Sequence, residues 1–156
     1  MKTLVAYFSA SGRTAALAKK LAEVTGSDLF EIKPAIPYTK SDLNWINPVS
    51  RCNKEKFGKK DVSINEKIEN FDEYGLFYIG FPIWYYGAPN VIETFLKSYD
   101  FSGKDIALFA TSGGSDIGKT AEKLLPFLSA DARILAADVF PANADEETLK
   151  RWVQNK

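Results

Sequence analysis

Five short apolar runs, separated by helix-like stretches, constrain the fold of this 156-residue chain more than any other feature. The runs cover residues 4–8, 28–32, 75–81, 106–111 and 133–140. They are rich in β-branched and aromatic residues, and most are apolar on both faces, which is typical of parallel strands covered by helices. The alternation predicts an α/β fold with one open parallel sheet, and the length predicts a single domain over residues 1–156.

Helical patterns lie between these runs, because apolar residues recur there every three or four positions. Each pattern places its apolar side chains on one face, as expected of a helix that covers a sheet. The four stripes are Leu17, Ala18 and Leu21; Val91, Ile92, Phe95 and Leu96; Ala121, Leu124, Leu125 and Leu128; and Leu149, Trp152 and Val153.

The amino-acid composition excludes several kinds of chemistry. The chain contains no histidine, which excludes Ser-His-Asp and Cys-His catalysis as well as histidine metal sites. Its single cysteine, Cys52, cannot form an internal disulfide. The formal net charge is zero, so we expect no nucleic-acid partner. No metal site and no catalytic acid or base stand out.

The N-terminus and the uncharged segments bear on the location of the protein. The N-terminus leads directly into the first apolar run, without the pattern of a secretory signal peptide. Residues 74–92 carry no charge, but Pro82, Gly87 and Pro89 interrupt any continuous membrane-spanning helix there. We therefore expect a cytoplasmic protein with no membrane partner.

The loop after the first run, here called the hydroxyl loop, has the features of an anion site. It consists of Ser9, Ala10, Ser11, Gly12, Arg13 and Thr14. A helix that begins in such a loop offers unpaired N–H groups and the positive end of its dipole. The hydroxyl groups add donors, and Gly12 lets the backbone approach a ligand. The loop therefore predicts a ligand that bears a phosphate group.

Two further loops follow the third and fourth apolar runs. The aromatic loop contains Pro82, Ile83, Trp84, Tyr85 and Tyr86, and the glycine loop contains Thr111, Ser112, Gly113, Gly114 and Ser115. Three consecutive aromatic side chains in a proline-bounded turn cannot all enter one core, which favours stacking on a flat ligand over core packing. The glycine loop is compatible with an ordinary tight turn, but its backbone donors can also approach the polar edge of a ring.

The three loops are expected to meet, because open parallel sheets bind ligands beyond the carboxyl ends of their strands. A ligand with a phosphate at one end and a flat heteroaromatic ring at the other satisfies all three loops, and FMN fits that description. The long connection over residues 33–73 is expected to cover or border this ligand. We expect helical pieces around residues 42–57 and 66–71, with Tyr38 and Trp45 as candidate contacts.

A second motif competes with this interpretation. Residues 113–120 match the pattern G-x-x-x-x-G-K-[ST] of P-loops that bind nucleoside triphosphates, and they lie between an apolar run and a helical pattern. Asp138, at the end of an apolar segment, would then be the acidic residue that holds magnesium. We rank this alternative lower, because the match falls late in the chain and leaves the other two loops without a role.

The chain also resembles the flavodoxin family over almost its whole length. The hydroxyl loop resembles the phosphate loop of that family, whereas residues 80–89, 101–104 and 110–115 resemble a short bacterial flavodoxin-like subgroup. The resemblance implies a flavodoxin-like, doubly wound, five-stranded sheet in the order 2-1-3-4-5 with helices on both faces. It implies that the hydroxyl loop holds the phosphate, that the aromatic loop stacks on the ring, and that the glycine loop contacts its pyrimidine edge.

Two departures from the family pattern bear on function. Flavodoxins that carry electrons typically have a strongly negative net charge, whereas the net charge of this chain is zero. Their ring-binding loops often contain acidic residues, whereas residues 81–92 of this chain contain no Asp or Glu. The phosphate loop usually lacks a cation, whereas Arg13 is present here, either reaching the phosphate or facing solvent. The resemblance implies an FMN-binding electron-transfer protein with a redox partner protein or a small electron donor or acceptor. An FMN-dependent NAD(P)H:quinone-type oxidoreductase is the alternative.

Overall fold

Five parallel strands form one sheet in the computed structural model, which describes residues 2–9, 12–34, 64, 66–83, 88–111, 117, 120–128, 131–141 and 143–154. The strands are β1 (Lys2–Tyr7), β2 (Asp28–Glu31), β3 (Tyr74–Pro82), β4 (Asp105–Thr111) and β5 (Arg133–Phe140). Their order is β2-β1-β3-β4-β5, and every neighbouring pair is parallel. This order confirms the flavodoxin-like fold that the sequence predicts.

Helices cover both faces of the sheet. In the part of the chain that the structure describes, they are α1 (Arg13–Thr25), α2 (Asn90–Lys97), α3 (Thr120–Leu124) and α4 (Glu146–Gln154). Helices α1 and α4 bury apolar side chains against one face, together with Val5 and Phe109 of the sheet. Helices α2 and α3 cover the opposite face, together with Leu4 and Leu108. Because neighbouring residues of one strand enter different cores, the central strands are apolar along most of their length.

The two edge strands are less buried than the three central strands. Every residue of β2, and every residue of β5 except Phe140, is exposed or half-buried. Among them, Leu29 is 41% exposed and Leu135 is 42% exposed. Each of these strands has a sheet neighbour on one side only among the described residues. The expectation of two covered faces, made for most of the runs, is therefore met by the three central strands, and β2 and β5 are the exceptions.

Two expected helical segments differ in the structure. Helix α3 ends at Leu124, because Pro126 lacks an N–H and the chain continues as the 3-10 helix Leu125–Phe127, which leaves Leu125 49% exposed. The expected helix over residues 66–71 is wrong as well, since only the 3-10 helix Phe71–Glu73 forms there. The ring of Phe71 instead stacks on Tyr99, with centroids 4.7 Å apart. Residues 42–57, Tyr38 and Trp45 lie outside the described residues.

Candidate functional site

The carboxyl ends of β1, β3 and β4 lie side by side, where the chain order of the sheet reverses. The amide of Phe8 donates to the carbonyl oxygen of Gly80 at 2.9 Å, so the hydroxyl loop begins beside the end of β3. The amide of Ile83 donates to the carbonyl oxygen of Thr111 at 2.8 Å, so the aromatic loop begins beside the end of β4. The three predicted loops therefore start at one edge of the sheet, at its switch point.

The described part of the hydroxyl loop makes a tight turn into α1. The Ser9 hydroxyl oxygen accepts a hydrogen bond from the amide of Gly12 at 3.0 Å. Gly12 has a φ of 90°, in the left-handed region that glycine adopts without the penalty of a Cβ. The first helical hydrogen bond follows directly, from the amide of Ala16 to the carbonyl oxygen of Gly12 at 3.1 Å. Ser9 and Gly12 thus shape the entry to the helix.

The N-terminus of α1 carries no compensating negative charge in the described residues. The N-cap residue, Gly12, supplies no side-chain cap, and no acidic residue lies in the first turn, where Arg13 is exposed. The first turns of the other helices contain Glu93 in α2, Glu122 in α3 and Glu146 in α4. The lack of an acidic side chain in the described first turn of α1 agrees with the phosphate prediction, because such a side chain would compete with an anion for the positive end of the helix dipole.

A pair of buried hydroxyl groups joins the hydroxyl loop to the glycine loop. The Oγ1 atoms of Thr14 and Thr111 are 2.7 Å apart, and the two residues are 1% and 4% exposed. Thr14 is the second residue of α1, and Thr111 is the last residue of β4. The Thr111 side chain is thus directed toward the phosphate end of the predicted site.

The remaining predicted site residues are only partly described. Pro82 ends β3 and is half-buried, and the half-buried Ile83 packs against the core on the α2 face of the sheet. Asn90, which is not among the predicted site residues, is a buried polar residue at the start of α2, four residues beyond the end of the aromatic loop. The other predicted residues lie outside the described part, namely Ala10, Ser11, Trp84, Tyr85, Tyr86, Ser112, Gly113, Gly114 and Ser115.

A buried tyrosine contributes to the electrostatics of this edge. Burial raises the pKa of the Tyr7 phenol, and the carboxylate of Glu31, its register partner on β2, raises that pKa further. The phenol therefore stays neutral at physiological pH.

Among the described residues no group of three His, Cys, Asp or Glu side chains is placed to hold a metal ion. The helices described here include none that is long and apolar enough to cross a membrane.

The described residues of the competing P-loop motif do not favour magnesium binding. The hydroxyl of Thr120, which the motif would place on the metal, is fully buried and donates to the carbonyl oxygen of Ile117. Asp138 accepts a hydrogen bond from Nε1 of Trp152 at 2.7 Å, so this carboxylate is engaged by α4. The glycines and Lys119 of the motif lie outside the described residues.

Comparison with known sequences supports the resemblance found in the loops. The family model described as flavodoxin matches residues 2–156, which is nearly the whole chain. No curated protein sequence matches this chain.

Solved structures share both the fold and the chain length. A candidate flavoprotein from Bacteroides eggerthii is 41% identical, with a TM-score of 0.92 over 99% of this chain and 96% of its own. A flavoprotein from Lactobacillus acidophilus, solved in complex with FMN, is 25% identical, with a TM-score of 0.72 over 97% and 98%. Oxidised flavodoxin 2 from Bacillus cereus is 16% identical and shares the fold, with a TM-score of 0.59 over 99% and 96%.

Proposed function

The chain belongs to the flavodoxin family, and from that membership we propose that it binds FMN at the carboxyl edge of its sheet and transfers electrons. One observation carries the proposal, namely the pair of contacts that Thr111 makes with Thr14 and Ile83. These contacts join the starts of three loops whose residue types suit a phosphate, a flat ring and the polar edge of that ring. The FMN complex of the similar Lactobacillus acidophilus flavoprotein supports the choice of cofactor.

The described residues fit the phosphate end of FMN. The first turn of α1 contains no acidic side chain, and Gly12, at a φ of 90°, leaves the turn into the helix without a Cβ at that position. Ser9 accepts from Gly12 through its oxygen, so its hydroxyl hydrogen remains to be donated elsewhere. We assign phosphate contacts to the hydroxyl loop, ring stacking to the aromatic loop and pyrimidine-edge contacts to the backbone of the glycine loop.

The protein's part in electron transfer is to position the cofactor and set the charge around it. FMN, when bound, supplies the redox chemistry. Residues 81–92 contain no Asp or Glu, and the Tyr7 phenol near this edge is held neutral. The segment that would lie beside the ring therefore adds no negative charge to oppose the addition of electrons, although the Glu31 carboxylate lies beside Tyr7. We infer a less negative reduction potential than that of an acidic flavodoxin site.

The same observation favours a second candidate function, an FMN-dependent NAD(P)H:quinone-type oxidoreductase. A neutral site lacks the acidic surface with which electron carriers attract protein partners. NAD(P)H added anaerobically to the FMN-loaded protein, without a reductase, distinguishes the two functions. Bleaching of the flavin absorbance at catalytic rates would favour the enzyme, whereas reduction only in the presence of a reductase would favour the carrier.

Titration of the flavin-free protein with FMN tests the proposed function. We expect quenching of FMN fluorescence to saturate at one FMN per chain at micromolar concentrations, because one site is built from all three loops. ATP with magnesium is the matched ligand for the P-loop alternative and is expected not to bind. Binding of ATP without binding of FMN would reverse the ranking of the two sites.

A further inference from the structure

The Thr14–Thr111 pair contains one more hydrogen than its hydrogen bond uses. Each threonine hydroxyl has one hydrogen to donate, and a single hydrogen lies between the two oxygens, which are 2.7 Å apart. Both side chains are buried, so bulk water is not available to accept the second hydrogen. A buried donor left without an acceptor is costly, which makes the direction of the bond between the two threonines important.

The positions of the two residues favour one direction. Thr14 lies in the first turn of α1, beside the hydroxyl loop, where an anion is the expected acceptor. Thr111 lies at the end of β4, and its carbonyl oxygen already accepts from the amide of Ile83. With a phosphate in the loop, the lowest-energy arrangement has Thr111 donating to Thr14 and Thr14 donating to the phosphate. A hydroxyl that accepts one hydrogen bond is polarised to donate the next more strongly.

We infer that Thr111 is a positioning residue for the phosphate end of FMN and acts through Thr14. This inference rests on the proposed function, and it assigns the side chain of Thr111 a role different from the pyrimidine-edge contact that the family resemblance implies. The Thr111 hydroxyl fixes both the rotamer of Thr14 and the direction in which the Thr14 hydroxyl donates its hydrogen. The end of β4 thereby contributes to phosphate binding as well as to the start of the glycine loop.

Variants of Thr111, measured with two flavins, test this inference. Riboflavin carries the same ring as FMN but lacks the phosphate, so it reports on the ring end alone. We expect Thr111→Val to weaken FMN binding by about tenfold or more, because the Thr14 hydroxyl loses its donor partner. Riboflavin binding is expected to stay within about twofold of the wild type, and Thr111→Ser is expected to restore most of the FMN affinity.

A double-mutant cycle with Thr14→Val provides a second readout that does not depend on riboflavin. If Thr111 acts through Thr14, then Thr111→Val is expected to have little further effect on FMN affinity in the Thr14→Val background. Thr25→Val is the matched control, because the Thr25 hydroxyl bonds the Leu21 carbonyl at the opposite end of the same helix, at 2.8 Å. That control is expected to leave FMN affinity unchanged, and thermal melts of the flavin-free variants verify that all of them fold.

The outcomes separate this inference from the proposed function. A wild-type protein that binds neither flavin would contradict the proposed function itself. With FMN bound by the wild type, additive effects of the two valine substitutions would overturn the inference and leave the function standing. Equal weakening of FMN and riboflavin by Thr111→Val, or no weakening of either, would overturn it as well.

Discussion

Gly80 of β3 shows how a single residue limits the packing beneath the site. A Cβ at this position would lie 2.1 Å from Cζ and 2.3 Å from Cε2 of Phe109, far closer than carbon atoms approach in proteins. Phe109 is fully buried and is the register partner of Gly80 on β4. Because Gly80 also accepts the hydrogen bond from Phe8 that places the hydroxyl loop, its backbone cannot move freely to make room.

We therefore predict that Gly80→Ala destabilises the protein by about 1–3 kcal/mol, which is the usual cost of an overpacked core. Urea unfolding of the flavin-free protein measures this change. The variant Phe109→Leu removes the ring atoms involved, so the double variant is expected to be more stable than the sum of the two single effects allows. Strictly additive effects would contradict this account, because they would mean that the added Cβ does not meet the Phe109 ring.

At the scale of the element, the N-terminus of α4 has a side-chain cap that α1 lacks. Oδ1 of Asp145 accepts a hydrogen bond from the amide of Thr148 at 2.8 Å. The hydrogen bonds from Thr148 hold the pKa of the Asp145 carboxyl below its ordinary value of 3.8, and the positive charges of Arg151 and Lys20 lower it further. Helix α4 thus has a carboxylate at its N-terminus, whereas the first turn of α1 contains no acidic side chain.

The lowered pKa of Asp145 makes a prediction about acid stability. Because the folded pKa is below the unfolded one, the carboxylate contributes stability that is complete above the unfolded value and is lost as the pH falls through the folded value. Asp145→Ala is expected to lower the melting temperature at pH 7 by roughly a few degrees. Asp145→Asn keeps an acceptor oxygen and is expected to lose less at pH 7. A difference from wild type that did not shrink toward pH 2 would contradict this account.

The secondary structure could be predicted where a periodic pattern dominates and not where local contacts compete. All five strands begin and end within two residues of their apolar runs, because each run is a continuous stretch rich in β-branched and aromatic residues. The pattern over Ala121, Leu124, Leu125 and Leu128 misled, because Pro126 ends the helix that the apolar spacing alone predicts. The predicted helix over residues 66–71 was wrong because Phe71 packs against Phe77 and Tyr99, and the spacing of apolar residues gives no sign of such contacts.

At the scale of the whole molecule, the sheet order determines which loops meet. The hydroxyl, aromatic and glycine loops start at one edge because the strands are parallel, and they start side by side because β1, β3 and β4 are neighbours. That strand order was predicted from the resemblance to the flavodoxin family. The Thr14–Thr111 bond was not predictable, because it joins residues 97 apart and depends on two side-chain rotamers. Stacking on Trp84, Tyr85 or Tyr86 and the contacts of Ser112 to Ser115 stay predictions.

The central claim is that three loops form one FMN site, and backbone amide NMR shifts on titration with FMN test it most directly. We predict that the amides of Gly12, Thr14, Ile83 and Thr111 shift together and saturate at one FMN per chain. The amides of Gly26 and Gly103, at the opposite edge of the sheet, are predicted to stay unchanged. Shifts confined to a single loop, or largest at Gly26 and Gly103, would contradict the account.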